Sequence, residues 1–144
     1  MLTPAQISKR GKIVAEILST ELAYVSDLAV LCESFVVPLR TYLSELTMTA
    51  TSPSTEDNSH ATLVAKVQNE HNTIFSNIEQ LLAFNRVFQK DLATSFEKDN
   101  GNNGNNIGKI FMDAAPFFKM YSTYVSNYER SEATLRFWLQ VRNC

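Results

Sequence analysis

The sequence predicts an all-α protein, an elongated helical bundle, and three observations carry the prediction. Residues 9–40 repeat apolar side chains at heptad spacing. Four Gly and four Pro are few for 144 residues, so the turn signals of a strand-rich chain are nearly absent. Residues 107–129 carry their aromatics at helical spacing. At 44% hydrophobic residues and this length, one domain with a buried core is expected.

The first element should be the longest. Val14, Leu28 and Phe35 share one heptad position; Ile17, Tyr24 and Leu31 share a second, and Leu18, Val25 and Cys32 a third. Together they make one wide apolar stripe, on which Glu21 is the single polar side chain. The opposite face starts polar, with Lys12, Glu16, Ser19 and Ser26, and turns apolar at Ala29, Val30, Val36 and Val37. A helix of this kind starts at a surface and runs into the middle of a bundle. Ser8 is the expected N-cap, the helix spans roughly 8–46, and Pro38 should kink it.

Residues 47–60 are polar, rich in Ser and Thr, and carry Pro53, which reads as a surface loop. A second helix is expected over 61–98, where Ile74, Ile78, Leu81, Phe88 and Leu92 keep a stripe that Asn85 interrupts. KDNGNNGNN, 98–106, places Gly101 and Gly104 among Asn residues and reads as a second loop. A third helix over 107–129 should kink at Pro116, with its aromatic stripe in the core. Ser131 is the expected cap of a last helix, 131–141, whose Trp138 and Leu139 should remain exposed.

Composition excludes several function classes. The formal charge is −2 and the Lys and Arg residues are scattered, which argues against a nucleic-acid surface. No apolar run is read as long enough to span a bilayer, so no direct membrane insertion is expected. Only Cys32 and Cys144 occur, which is neither a disulfide framework nor a metal site, and a cytoplasmic setting is the simplest. His60 and His71 are far apart and lack ligand-spaced neighbours, so no metal, no cofactor and no catalytic residue is expected.

KIVAEILSTELAYVSDLAVL, followed by FVVPL, resembles the first conserved region of the Dbl homology (RhoGEF) domain. The matching positions are Glu16, Leu18, Thr20, Glu21, Tyr24, Val25, Asp27, Leu28, Pro38 and Leu39. IFSNIEQLLAFNRVFQKDL resembles the family's second region, and the order Ile-Gly, Phe, Ala-Pro-Phe, Tyr, Tyr-Val after residue 107 resembles its next helix. The resemblance implies a bundle of the Dbl homology type. It also implies that 1–144 is the N-terminal portion of such a domain, truncated on the C-terminal side. The family's third conserved region, with its Pro-x-Gln-Arg helix, has no counterpart here. A pleckstrin homology domain is expected further along the full-length protein, with recruitment to membranes through such other domains.

The function so implied is that of a guanine nucleotide exchange factor for a Rho-family small GTPase, which binds switch I and promotes GDP release. It needs no covalent chemistry, because weakening nucleotide binding is linkage between two ligands of one protein. The resemblance puts Glu16 at the position of the family's switch-contacting Glu. From the residues alone, Glu16 reads rather as a solvated helix carboxylate paired with Lys12 one turn back, and the resemblance reverses that preference. Its neighbours Ser19, Thr20 and Ala23 are short and leave a flat floor around it. Glu21 and Asn85 are expected to be buried structural polar groups, with Glu21 paired inside the bundle and Asn85 or Tyr24 as candidate partners. The alternative function is a helical scaffold or interaction module that has lost exchange activity.

Overall fold

The computed structural model describes residues 3–50, 58–98 and 106–141. All the secondary structure among them is helical, which agrees with the all-α prediction. The order is α1 (Pro4–Leu31), a π turn (Cys32–Val36), α2 (Val37–Ala50), α3 (Asn58–Phe75), α4 (Ile78–Lys98), α5 (Ile107–Ala114), a 3-10 turn (Ala115–Lys119) and α6 (Met120–Val141). The helices extend into both predicted loops: α2 runs to Ala50, α3 starts at Asn58, and α4 includes Lys98. The loop interiors, 51–57 and 99–105, lie outside the described residues.

α1 begins earlier than Ser8. Thr3 Oγ1 accepts from the Gln6 amide at 3.3 Å, and Gln6 Oε1 accepts from the Thr3 amide at 2.8 Å. This is a capping box with Pro4 at the first helical position, where its missing N–H costs nothing. The Thr-Pro-x-Gln signature was present in the sequence and outranks Ser8, because it satisfies two amides reciprocally.

The two internal prolines reshape the helices without ending them. Pro38 has no N–H and its ring crowds the carbonyl one turn back. The helix takes this up as the five-residue π turn just before it, where the Val37 amide bonds the Cys32 carbonyl. Pro116 falls at the start of the 3-10 turn, where a proline is tolerated.

Two predicted helix boundaries are corrected. The expected single helix over 61–98 is two helices, parted at Ser76, whose φ of 48° is left-handed. Its amide bonds the Asn72 carbonyl at 2.9 Å, the bond of an αL cap. The next two carbonyls of α3 are met from α6: Asn127 Nδ2 donates to Thr73 O and Ser131 Oγ to Ile74 O, both at 2.6 Å. Ser131 is therefore no N-cap. It lies inside α6, which runs unbroken past Glu129 because that stretch holds neither Gly nor Pro.

The chain divides into two compact units. The first comprises Met1–Ala29 and Glu79–Tyr121. Its core is Phe88, Leu92 and Ala114, packed by Ile17 and Leu18 of α1 and by Phe84, Ile107, Ile110 and Phe118. Phe118 meets Phe84 and Phe88 edge to face, with ring centroids 5.5 and 5.7 Å apart, the geometry that aromatic quadrupoles favour. The predicted aromatic stripe is only partly in the core: Phe118 packs on it, whereas Phe111, Phe117, Val125 and Tyr128 are exposed. The second unit comprises Val30–Ile78 and Ser122–Cys144. Cys32, Val36, Leu43, Val64, His71 and Ile74 are buried in it.

One expectation from hydropathy is overturned. The helical residues Pro4–Met48 contain an 18-residue window of mean hydropathy 1.6, so one helix is long and apolar enough to cross a membrane by length and composition. Counting uninterrupted apolar residues missed it, because Ser26, Asp27 and Glu33 punctuate the run. A core helix of a soluble protein passes the same test. The apolar half of this helix also keeps Val30 and Phe35 more than half exposed, where burial all round was expected.

Candidate functional site

The four residues singled out on the first helix, Glu16, Ser19, Thr20 and Ala23, are all exposed on α1. Their spacing of three and four residues puts them on one face. The inward face carries Val14 and Leu28, both buried, and Ile17 and Leu18, which pack on the first unit's core. Burying that stripe fixes the rotation of α1 about its axis, and the stripe's complement faces solvent.

The two hydroxyls on this face are occupied. Ser19 Oγ donates to the Glu16 carbonyl at 2.9 Å, and Thr20 Oγ1 lies 3.0 Å from the carbonyls of Glu16 and Ile17. Both side chains therefore lie back against the helix. Glu16 is exposed on the same face, and its carboxylate forms no hydrogen bond or ion pair among the described residues. The Lys12 pairing that the spacing allows is not formed. What results is a face of short side chains with an unspent anionic acceptor at Glu16, and Asp27, also exposed, falls on the same face three turns on.

Glu21 departs from expectation. It is half-buried, and its Oε1 is buried without a hydrogen-bond partner among the described residues. Burial holds its carboxyl above the usual carboxylate value. Asn85 does not serve it. Asn85 is 2% exposed, and its Nδ2 donates to Leu81 O and to Tyr121 Oη, both at 2.7 Å. So Asn85 is the satisfied buried polar group that was predicted, whereas the predicted pairing of Glu21 is absent.

This fixes a pH dependence. A folded-state pKa raised above the unfolded one means that ionising Glu21 costs stability, and the cost enters as pH rises from the ordinary carboxylate value through the raised one. Glu21→Gln is therefore expected to leave stability nearly unchanged at pH 4. At pH 7 it should raise it, by less than ~1 kcal/mol because the group is partly solvated. Urea midpoints at the two pH values test this. A Gln variant that loses more stability at pH 7 than at pH 4 would mean that the carboxylate has a partner.

His71, which the sequence excludes only as a metal ligand, is 4% exposed, and its Nε2 lies 3.0 Å from the Val36 carbonyl at the end of the π turn. A carbonyl only accepts, so Nε2 carries the proton. The ring also lies against Phe75, with centroids 4.8 Å apart. Trp138, expected to be exposed, is half-buried, and its Nε1 donates to Glu70 Oε2 at 2.7 Å; Leu139 is 55% exposed, as expected. Among the described residues no group of three or more His, Cys, Asp or Glu could hold a metal ion.

The family model for the RhoGEF domain matches residues 13–143, and the chain belongs to that family. FYVE, RhoGEF and PH domain-containing protein 2 of Homo sapiens is 34% identical over 128 residues, covering 88% of this chain and 17% of that protein. Guanine exchange factor for Rac 30 of Dictyostelium discoideum is 29% identical over 133 residues, 92% of this chain and 7% of the relative. Guanine nucleotide exchange factor DBS of Rattus norvegicus is 26% identical over 140 residues, 94% of this chain and 10% of the relative. The chain thus spans less than a fifth of the length of these curated relatives. No solved structure matches it significantly.

Proposed function

We propose that this chain is the GTPase-engaging part of a guanine nucleotide exchange factor for a Rho-family small GTPase, with α1 docking switch I through Glu16. Family membership supports the exchange-factor class, and several relatives are named for the same activity. The observation that carries the site is the unspent Glu16 carboxylate on the face it shares with Ser19, Thr20 and Ala23. A carboxylate without an internal partner can accept charge-assisted hydrogen bonds from a docked backbone or hydroxyl. Because the hydroxyls of Ser19 and Thr20 already donate to α1 carbonyls, their hydrogens do not compete with incoming donors for the Glu16 carboxylate.

Catalysis on this reading is differential binding. The nucleotide-free GTPase binds α1 more tightly than the loaded one, and by linkage the nucleotide is bound more weakly in the complex. No bond is made or broken by the exchange factor.

The test is release of a fluorescent GDP analogue from a panel of Rho-type GTPases, with this chain and with the full-length protein. Acceleration by the full-length protein supports the reading, and the panel identifies the GTPase. GTPase binding without accelerated release would instead favour a helical scaffold that has lost exchange activity.

A further inference from the structure

The face of α1 that carries Glu16 continues for three turns to Asp27, which is also exposed. At the rise of an α-helix the two residues are ~16 Å apart along the axis. Ser19, Thr20 and Ala23 lie between them on this face, and both hydroxyls are turned back onto α1 carbonyls. A surface docked over the face meets no long side chain between the two acids.

Neither carboxylate makes a hydrogen bond or ion pair among the described residues, yet their surroundings differ. Glu16 has Lys12 one turn before it, an exposed ammonium that weakens its field at a distance even without a bond. Asp27 has no such neighbour on α1: the positions one turn to either side are Ala23, Tyr24, Val30 and Leu31, and none is charged. The face therefore passes from positive at Lys9 and Lys12 to an uncompensated negative charge at Asp27. At physiological ionic strength the screening length is about 8 Å, half the spacing of the two acids, so one cation on a partner cannot serve both.

We propose, resting on the exchange-factor reading, that Asp27 is a second contact for the docked GTPase. It takes a lysine or arginine of the partner, steers the approach and sets the partner's direction along α1. The opposite direction would bring that cation against Lys9 and Lys12, where like charges repel. Glu16 and Asp27 then have separate roles. Glu16 accepts hydrogen bonds from switch I and acts in release. Asp27 acts in association, because a long-range charge changes the encounter rate more than the lifetime of the complex.

The test is stopped-flow association of the full-length protein with the GTPase identified on the panel, at low and at high salt, with Asp27→Asn, Asp27→Lys and Glu16→Ala. At ~20 mM salt, Asp27→Asn is expected to lower the association rate constant about threefold and Asp27→Lys about tenfold; near ~0.5 M salt both deficits should shrink below about twofold. In the release assay the Asp27 losses should appear as a higher half-saturating concentration of exchange factor, whereas Glu16→Ala lowers the maximal rate at both salts. Asp27 is exposed, so unfolding midpoints should match wild type, and Asp27→Asn keeps the shape if the Lys variant proves unstable. Wild-type exchange with an Asp27→Lys association rate equal to wild type at low salt would overturn this proposal alone, as would a deficit independent of salt. A wild-type protein that binds no GTPase of the panel would overturn it together with the reading on which it rests.

Discussion

Glu16→Ala is expected to slow nucleotide release by the full-length exchange factor by roughly ten- to a hundredfold. The proposed complex sets the carboxylate against donors of switch I. Truncation leaves those donors without a charged acceptor, at ~1.5–3 kcal/mol. If that loss falls on the transition state for release, the rate falls by the stated factor. The fold should hardly notice, because the side chain is exposed and makes no hydrogen bond or ion pair among the described residues. A change in stability of under ~0.5 kcal/mol is expected. Glu16→Gln separates charge from shape. It keeps an acceptor oxygen without the charge assistance, so its loss should lie between wild type and Glu16→Ala. Release assays and urea midpoints on the same three proteins decide the matter. Unchanged release in Glu16→Ala would remove Glu16 from its role and leave the family assignment intact.

The largest stability effect is expected at His71. Its Nε2–H meets the Val36 carbonyl, and Val36 itself is 2% exposed, so water cannot readily replace the donor. His71→Ala removes the hydrogen bond, forfeits the Phe75 contact and leaves a void. These losses together should cost about 2–4 kcal/mol. His71→Phe keeps most of the volume and the aromatic contact but has no donor; the Val36 carbonyl keeps its helical backbone partner, so the cost should be that of one hydrogen bond, ~0.5–1.5 kcal/mol. Denaturant unfolding of both variants gives the comparison. A Phe variant as stable as wild type would show that the His71–Val36 hydrogen bond adds no net stability.

The Glu21 and His71 results share a cause. Both side chains sit on helices whose periodicity marks them for burial or near-burial, but periodicity does not name a partner. Glu21 was expected to find one and has none among the described residues; His71, for which the sequence named no partner, reaches a carbonyl 35 residues away. A buried carboxylate without a partner and a buried imidazole with one have opposite consequences for stability, and the local sequence looks equally polar in both cases.

What the sequence by itself determined is what depends on near neighbours along the chain. The helical class follows from the 3.6-residue recurrence of apolar side chains, and the in-register match of Glu16, Leu18, Thr20, Glu21, Tyr24 and Val25 places the chain in its family. The outward position of Glu16, Ser19, Thr20 and Ala23 follows as well, since it is the complement of a buried stripe. Even the missed start of α1 was legible, in the reciprocal bonds that Thr3 and Gln6 can make. Only the tertiary structure decided the rest. The break at Ser76 depends on Asn127 and Ser131 meeting the carbonyls of Thr73 and Ile74, more than 50 residues away in sequence. Asn85 could have served Glu21 and serves Tyr121 instead. Such choices are made by geometry between helices, where one hydrogen-bonding group has several partners of equal chemical merit and packing admits one of them.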